Sequence, residues 1–121
     1  MKIIIVEDEK SIRNGLVKML PKLDPEYEVV GSAKDGLEGY QQILAEQPDL
    51  VIMDITMPNM DGLQALKKIK EINPNATVVM CSAMGQESMV IEAIKSGAKD
   101  FIVKPFKADR ILKTVSSIVD A

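Results

Sequence analysis

The stretch from Leu50 to Pro58, "LVIMDITMP", joins an apolar run to a single ionisable residue, Asp54. The run is continuous rather than alternating, which reads as a strand covered on both faces at the centre of a parallel sheet. A carboxylate at the rim of a core is costly unless something pairs with it, so Asp54 needs partners elsewhere in the chain.

Outward from this run, four more short apolar segments rich in Val and Ile are found: Ile3 to Val6, Tyr27 to Val30, Thr77 to Cys81 and Phe101 to Val103. The first and fourth of the five in chain order are also continuous; the second and fifth are shorter and mixed, as edge strands are. Between them lie segments of helical period. The stripes are Ile12, Leu16, Met19, Leu20 and Leu23; Leu37, Tyr40 and Leu44; Leu63, Leu66, Ile69 and Ile72; Met89, Val90, Ala93 and Ile94; and Ile111, Leu112, Val115, Ile118 and Val119. Pro21, Pro48 and Pro74 are expected to follow helices, Gly97 to end one, and Asp35, Asp61 and Asp109 to cap helix starts.

Strand and helix alternating five times in 121 residues predict an α/β domain over residues 1–121. Its parallel sheet has right-handed crossovers and helices on both faces, a three-layer (βα)5 sandwich. The flavodoxin-like strand order 2-1-3-4-5 is the common solution, and it places ligands at the carboxyl ends of the strands, near the first and third. That rim collects Glu7 and Asp8 after the first strand, Asp54 after the third, Ser82 after the fourth and Lys104 after the fifth. Pro105 restricts Lys104 and tolerates a cis bond, which aims the lysine back over the strand ends.

Three carboxylates in one pocket cannot all stay ionised without counter-charge. The chain has no histidine, which excludes an imidazole base, an imidazole metal ligand and a phosphohistidine carrier. Hard oxygen ligands suit Mg²⁺. A metal and an ammonium together then satisfy what phosphoryl transfer needs, with Asp54 as nucleophile and Glu7 and Asp8 as ligands.

The remaining composition narrows the setting. Net charge is −3 with signs interspersed, which argues against direct nucleic-acid binding. The single cysteine, Cys81, lies in an apolar run and reads as a small buried hydrophobe in a reducing compartment. No leader and no apolar run near ~18 residues is visible, so a cytoplasmic, monomeric protein off the membrane is expected.

The set Glu7-Asp8, Asp54, Ser82 and Lys104-Pro105 resembles the receiver domain of two-component response regulators over the whole chain. The resemblance implies that Asp54 accepts a phosphoryl group from a histidine kinase. It implies that Glu7, Asp8, Asp54 and the backbone carbonyl of Thr56 hold Mg²⁺, and that Ser82 and Lys104 contact the phosphoryl oxygens. Ser82 and Phe101 would then form the switch pair, and Thr56 and Met84 would tune loss of the group. The face of the fourth helix, fifth strand and fifth helix, including Gln86, Met89, Val90, Phe101 and Lys107, would carry the output. The chain is expected to be a phosphoacceptor, not an enzyme beyond self-phosphorylation from small donors and slow autodephosphorylation.

"DITMPNMDG" and "CSAMGQESMVIEAIKSGAKDFIVKPFKADR" are similar to stand-alone CheY-type chemotaxis regulators of Gram-positive kind, whereas the first half is more like receivers of DNA-binding transcriptional regulators. Output by protein contact, as with a flagellar motor switch, is the first expectation, and a receiver cut from a transcription factor the second. A phosphatase of the haloacid dehalogenase type also uses an Asp nucleophile with Mg²⁺. It needs a second Asp two residues on, where this chain has Thr56. Lys67, Lys68 and Lys70 read as a solvated helix face, and the methionines Met57, Met60, Met84 and Met89 as packing or an adaptable surface.

Overall fold

A computed structural model describes residues 1–119, the side chain of Val119 excepted. The expected place of Val119 in the last apolar stripe, and the final two positions of the expected domain, thus fall outside the described residues. Strand and helix alternate as β1 (Lys2–Val6), α1 (Lys10–Leu23), β2 (Glu28–Ala33), α2 (Gly36–Glu46), β3 (Leu50–Asp54), α3 (Gly62–Ile72), β4 (Thr77–Ser82), α4 (Glu87–Lys95), β5 (Asp100–Val103) and α5 (Ala108–Val119). All strand pairs are parallel and the order is β2-β1-β3-β4-β5.

Strand side chains alternate between two cores. Ile4, Val6, Val51, Met53, Val78 and Met80 pack beneath α2, α3 and α4 with Ile43, Leu66, Ile69 and Ala93. Ile3, Ile5, Leu50, Ile52, Val79, Cys81 and Ile102 pack on the other face with Leu16 and Leu20 of α1 and Ile111 and Val115 of α5. Every residue of β3 is buried, which is the physical content of its continuous apolar run: it has a helix layer on each side and a strand at each edge.

Several elements depart from the expectations above. The second strand starts at Glu28, because Tyr27 N–H turns back to Asp24 O at 3.0 Å, and it runs on through Gly31 and Ser32 to Ala33. Its register with β1 shifts between Ile3 and Ile4, and this extension proves useful: Ala33 O accepts from Glu7 N–H at 2.9 Å. Pro21 lies inside α1 rather than after it. Placed in the final turn, it removes one helical N–H donor, while Leu23 still packs on the core.

On α2 the expected stripe is displaced: Leu37 and Leu44 are about half exposed, and Gly36, Gly39 and Ile43 face inward. A Cβ on Gly39 would come within 2.6 Å of Val6 Cγ2 and one on Gly36 within 1.9 Å of Met60 O, so absent side chains let this helix sit close to β1 and to the segment that leads into α3. Ile72 and Ile94 are likewise exposed, at the ends of their helices. Asp35 and Asp61 cap α2 and α3, the latter as a full capping box with Gln64. Asp109 does not cap; it sits within the first turn of α5. Gly97, at φ 111°, closes α4 with the paired bonds Ala98 N–H to Ala93 O and Gly97 N–H to Ile94 O. Of the three lysines read as a solvated face, Lys67 pairs with Glu92 at 3.3 Å. Lys70 is half-buried and donates to the carbonyls of Pro74 and Ala76.

Candidate functional site

The carboxyl ends of β1, β3, β4 and β5 meet at one rim. β3 delivers Asp54 there because its apolar run ends one residue earlier, and Asp54 pairs in register with Cys81 of β4. β1 delivers Glu7, whose backbone is pinned from both sides: its N–H donates to Ala33 O at 2.9 Å and its carbonyl accepts from Arg13 Nη1 at 2.7 Å. Arg13 is a supporting residue that no pattern in the sequence marks, since one arginine on an exposed helix face is unremarkable until the fold turns it back on the loop.

Lys104 arrives from the far edge strand. Its backbone N–H donates to Ser82 O at 2.7 Å, and the bond to Pro105 is cis. Its Nζ lies 2.5 Å from Glu7 Oε1 and 3.1 Å from Asp54 Oδ2. Asp54 and Glu7 are both buried, at 6% and 3% exposure, and the ammonium is what makes that burial tolerable.

One lysine is not enough charge for three acids. One carboxylate oxygen from each of Glu7, Asp8 and Asp54 lies within 4.8 Å of the others. Burial, and then the hydrogen bond with Asp54, push the Glu7 carboxyl up to about 8. The same two causes raise Asp8. Burial opposes the charge on Lys104, yet its contacts with Glu7 and Asp54 outweigh that and hold its pKa above the usual lysine value. Glu7 Oε2 is buried without a hydrogen-bond partner. An orphaned buried oxygen costs about 1–3 kcal/mol, and it belongs to one of three carboxylates gathered at this rim, so the donor set fits a small divalent cation of the Mg²⁺ type.

Ser82 lies on the same rim, and its Oγ is also buried and unpartnered. Thr56 is exposed, and its hydroxyl accepts from Gln86 Nε2 at 2.8 Å. Phe101 is half-buried on β5 and lines, with Ser82, Met84, Val90, Ile94 and Val103, an apolar groove of about 740 Å³. Met57 is buried, Met60 packs against the core, and Met84 is exposed at 79%. The cysteine is inert in this setting: burial and the nearby acids push the Cys81 thiol up to about 12.

Residues 3–116 match the response regulator receiver domain family. The chain belongs to that family. As a receiver domain it is 50% identical to the chemotaxis protein CheY of Bacillus subtilis over 98% of both chains, and 47% identical to CheY of Thermotoga maritima over 97% and 96%. A chain in the crystal structure of the CheX-CheY-BeF3-Mg²⁺ complex from Borrelia burgdorferi superposes with a TM-score of 0.92, at 34% identity, over 98% of this receiver and 89% of that chain. The chain is thus a CheY-type receiver domain of a two-component response regulator. That makes it a phosphoacceptor rather than an enzyme with turnover of its own, and sets aside a dehalogenase-type phosphatase. Among the described residues no helix is long and apolar enough to cross a membrane.

Proposed function

We propose that Asp54 accepts the phosphoryl group and that Glu7, Asp8, Asp54 and the carbonyl of Thr56 hold Mg²⁺ beside it. The observation that carries this reading is the position of Lys104 Nζ between Glu7 and Asp54. It is a cation held where the equatorial oxygens of a phosphoryl group on Asp54 would lie, next to a carboxyl oxygen with no partner of its own. When bound, Mg²⁺ neutralises the charge that develops on the transferred group.

The chain's own residues supply the rest. An Asp54 carboxylate oxygen forms the new O–P bond as the bond from phosphorus to the donor's imidazole nitrogen breaks, and the electron pair stays with that nitrogen. Lys104 Nζ keeps its proton and moves its hydrogen bonds from carboxylate to phosphoryl oxygen. The unpartnered Ser82 hydroxyl donates to the same group. Satisfying that hydroxyl draws Ser82 toward Asp54. Phe101, at the groove beside it, fills the vacated space and reshapes the face of α4, β5 and α5.

On this reading residues 1–121 form one cytoplasmic, monomeric receiver, phosphorylated by a histidine kinase or slowly by small phosphodonors. It signals by binding a protein target. The similarity to CheY proteins favours a chemotaxis target such as a flagellar motor switch over a DNA-binding effector. Incubation with acetyl phosphate and Mg²⁺, followed by intact mass, tests it. A gain of one phosphoryl group that Asp54→Asn abolishes supports the assignment, and rapid turnover of phosphate esters without a stable adduct overturns it.

A further inference from the structure

The β4–α4 turn holds a contact that the chemistry above does not use. Gln86 stands at the N-cap of α4, yet its side chain makes no cap hydrogen bond there. It reaches backward instead: Oε1 accepts from Ala83 N–H at 2.7 Å and Nε2 donates to Thr56 Oγ1 at 2.8 Å. The partners fix the amide's orientation, because a backbone N–H can only donate and so must face the carbonyl oxygen.

The direction of that N–H follows from the ladder. Ile55 N–H donates to Cys81 O on the β3 side, and Lys104 N–H donates to Ser82 O on the β5 side. Peptide groups alternate sides along a strand, so the Ala83 N–H points toward β3, beyond the last rung. β3 ends at Asp54 and offers it no carbonyl. This donor therefore stands over the Asp54 rim, adjacent to the unpartnered Ser82 hydroxyl, and in the resting protein Gln86 occupies it.

We propose that Gln86 is an autoinhibitory clip: its amide oxygen stands in for a phosphoryl oxygen at Ala83 N–H, and its amide nitrogen ties the β4–α4 turn to Thr56. This rests on Asp54 being the phosphoacceptor. An oxygen on phosphorylated Asp54 displaces the amide, and the Thr56 tether is lost with it. The turn so released contains exposed Met84 and Gly85 at φ 88°, and α4 has no other side-chain cap to hold its start. Gln86 thus sets how readily the resting site accepts the group.

The test is titration of BeF3⁻ with Mg²⁺ into wild type, Gln86→Met, Thr56→Val and Asp54→Asn, with amide exchange read at Ala83. Gln86→Met keeps the side chain's length and removes both bonds, so BeF3⁻ affinity is expected to rise about five-fold, the worth of one ordinary net hydrogen bond. Thr56→Val raises it less, and the double variant no more than Gln86→Met alone. Ala83 exchange is faster in resting Gln86→Met than in resting wild type, and equally slow in both with BeF3⁻ bound. Affinity equal to or below wild type in Gln86→Met, or unchanged Ala83 exchange, overturns the clip while leaving the phosphoacceptor intact. Equal BeF3⁻ binding by Asp54→Asn overturns the phosphoacceptor reading, and the clip with it.

Discussion

The ammonium of Lys104 lies 3.1 Å from Asp54 Oδ2, joining the ends of β5 and β3 although β4 runs between them. The two side chains thereby meet above β4, and the ammonium neutralises an acid on the central strand. Lys104→Ala leaves the buried Glu7 and Asp54 without their cation, and a lost partner of this kind costs about 3–5 kcal/mol. Urea unfolding without Mg²⁺ is expected to show that loss, part of which Mg²⁺ restores. Removal of one charge-stabilising donor also slows phosphoryl transfer, by about 10²-fold, measured by phosphorylation rate at saturating donor.

Glu7 gives the protein an unusual pH response. Its carboxyl titrates near 8 when folded, chiefly because of burial and then the Asp54 hydrogen bond, against about 4.3 in an unfolded chain. Between those values the native state holds a proton that the unfolded state has released, so stability falls as pH rises through this window. The metal needs the ionised carboxylate, so Mg²⁺ affinity rises over the same range and binding releases a proton. Urea midpoints from pH 5 to 8.5 are expected to decline without Mg²⁺ and to flatten with it; Glu7→Gln reduces the decline and weakens Mg²⁺ binding.

Gly62 opens α3 directly against the strand that carries Asp54. A Cβ there would lie 2.1 Å from Asp54 O and 2.8 Å from Ile55 Cα, and both contacts are backbone that cannot rotate away. Gly62→Ala is expected to cost about 1–3 kcal/mol by overpacking and to move Asp54, lowering both the unfolding midpoint and the phosphorylation rate. Gly15→Ala, with nothing within 4 Å of the added carbon, serves as the comparison and leaves the rate unchanged.

Phe101 is expected to couple site and surface because it shares a groove with Ser82. Phe101→Ala keeps phosphorylation at Asp54 but makes affinity for the output target less dependent on it. Binding measured with and without BeF3⁻ checks this, and an undiminished ratio contradicts the coupling.

Much of this was readable in the sequence where burial alone sets the pattern. β3 and β1 announce themselves because a strand with helices on both faces must be apolar throughout, and an acid at the end of such a strand has few structural excuses. The displaced stripe on α2 was not readable. Its inward face is built from Gly36 and Gly39, whose contribution is closeness rather than hydrophobicity, so Leu37 and Leu44 look more like core than they are. α1 running through Pro21 defeats the usual stop signal because a final turn can spare one hydrogen bond when Leu23 packs beyond it. At the site, Glu7, Asp8, Asp54 and Lys104 converge as the strand order requires. Arg13 turning back from the start of α1 onto Glu7, and Gln86 reaching across to Thr56 thirty residues away, are single side-chain contacts that leave no period to detect.

The most direct measurement is to locate the phosphoryl group itself. Borohydride reduction after phosphorylation with Mg²⁺ converts a phosphorylated aspartate to homoserine, and peptide mapping reads which position changed. Homoserine at position 54 alone, absent when Mg²⁺ is removed, is the predicted result; homoserine at position 8, or a phosphoryl group retained on Ser82, would contradict the assignment.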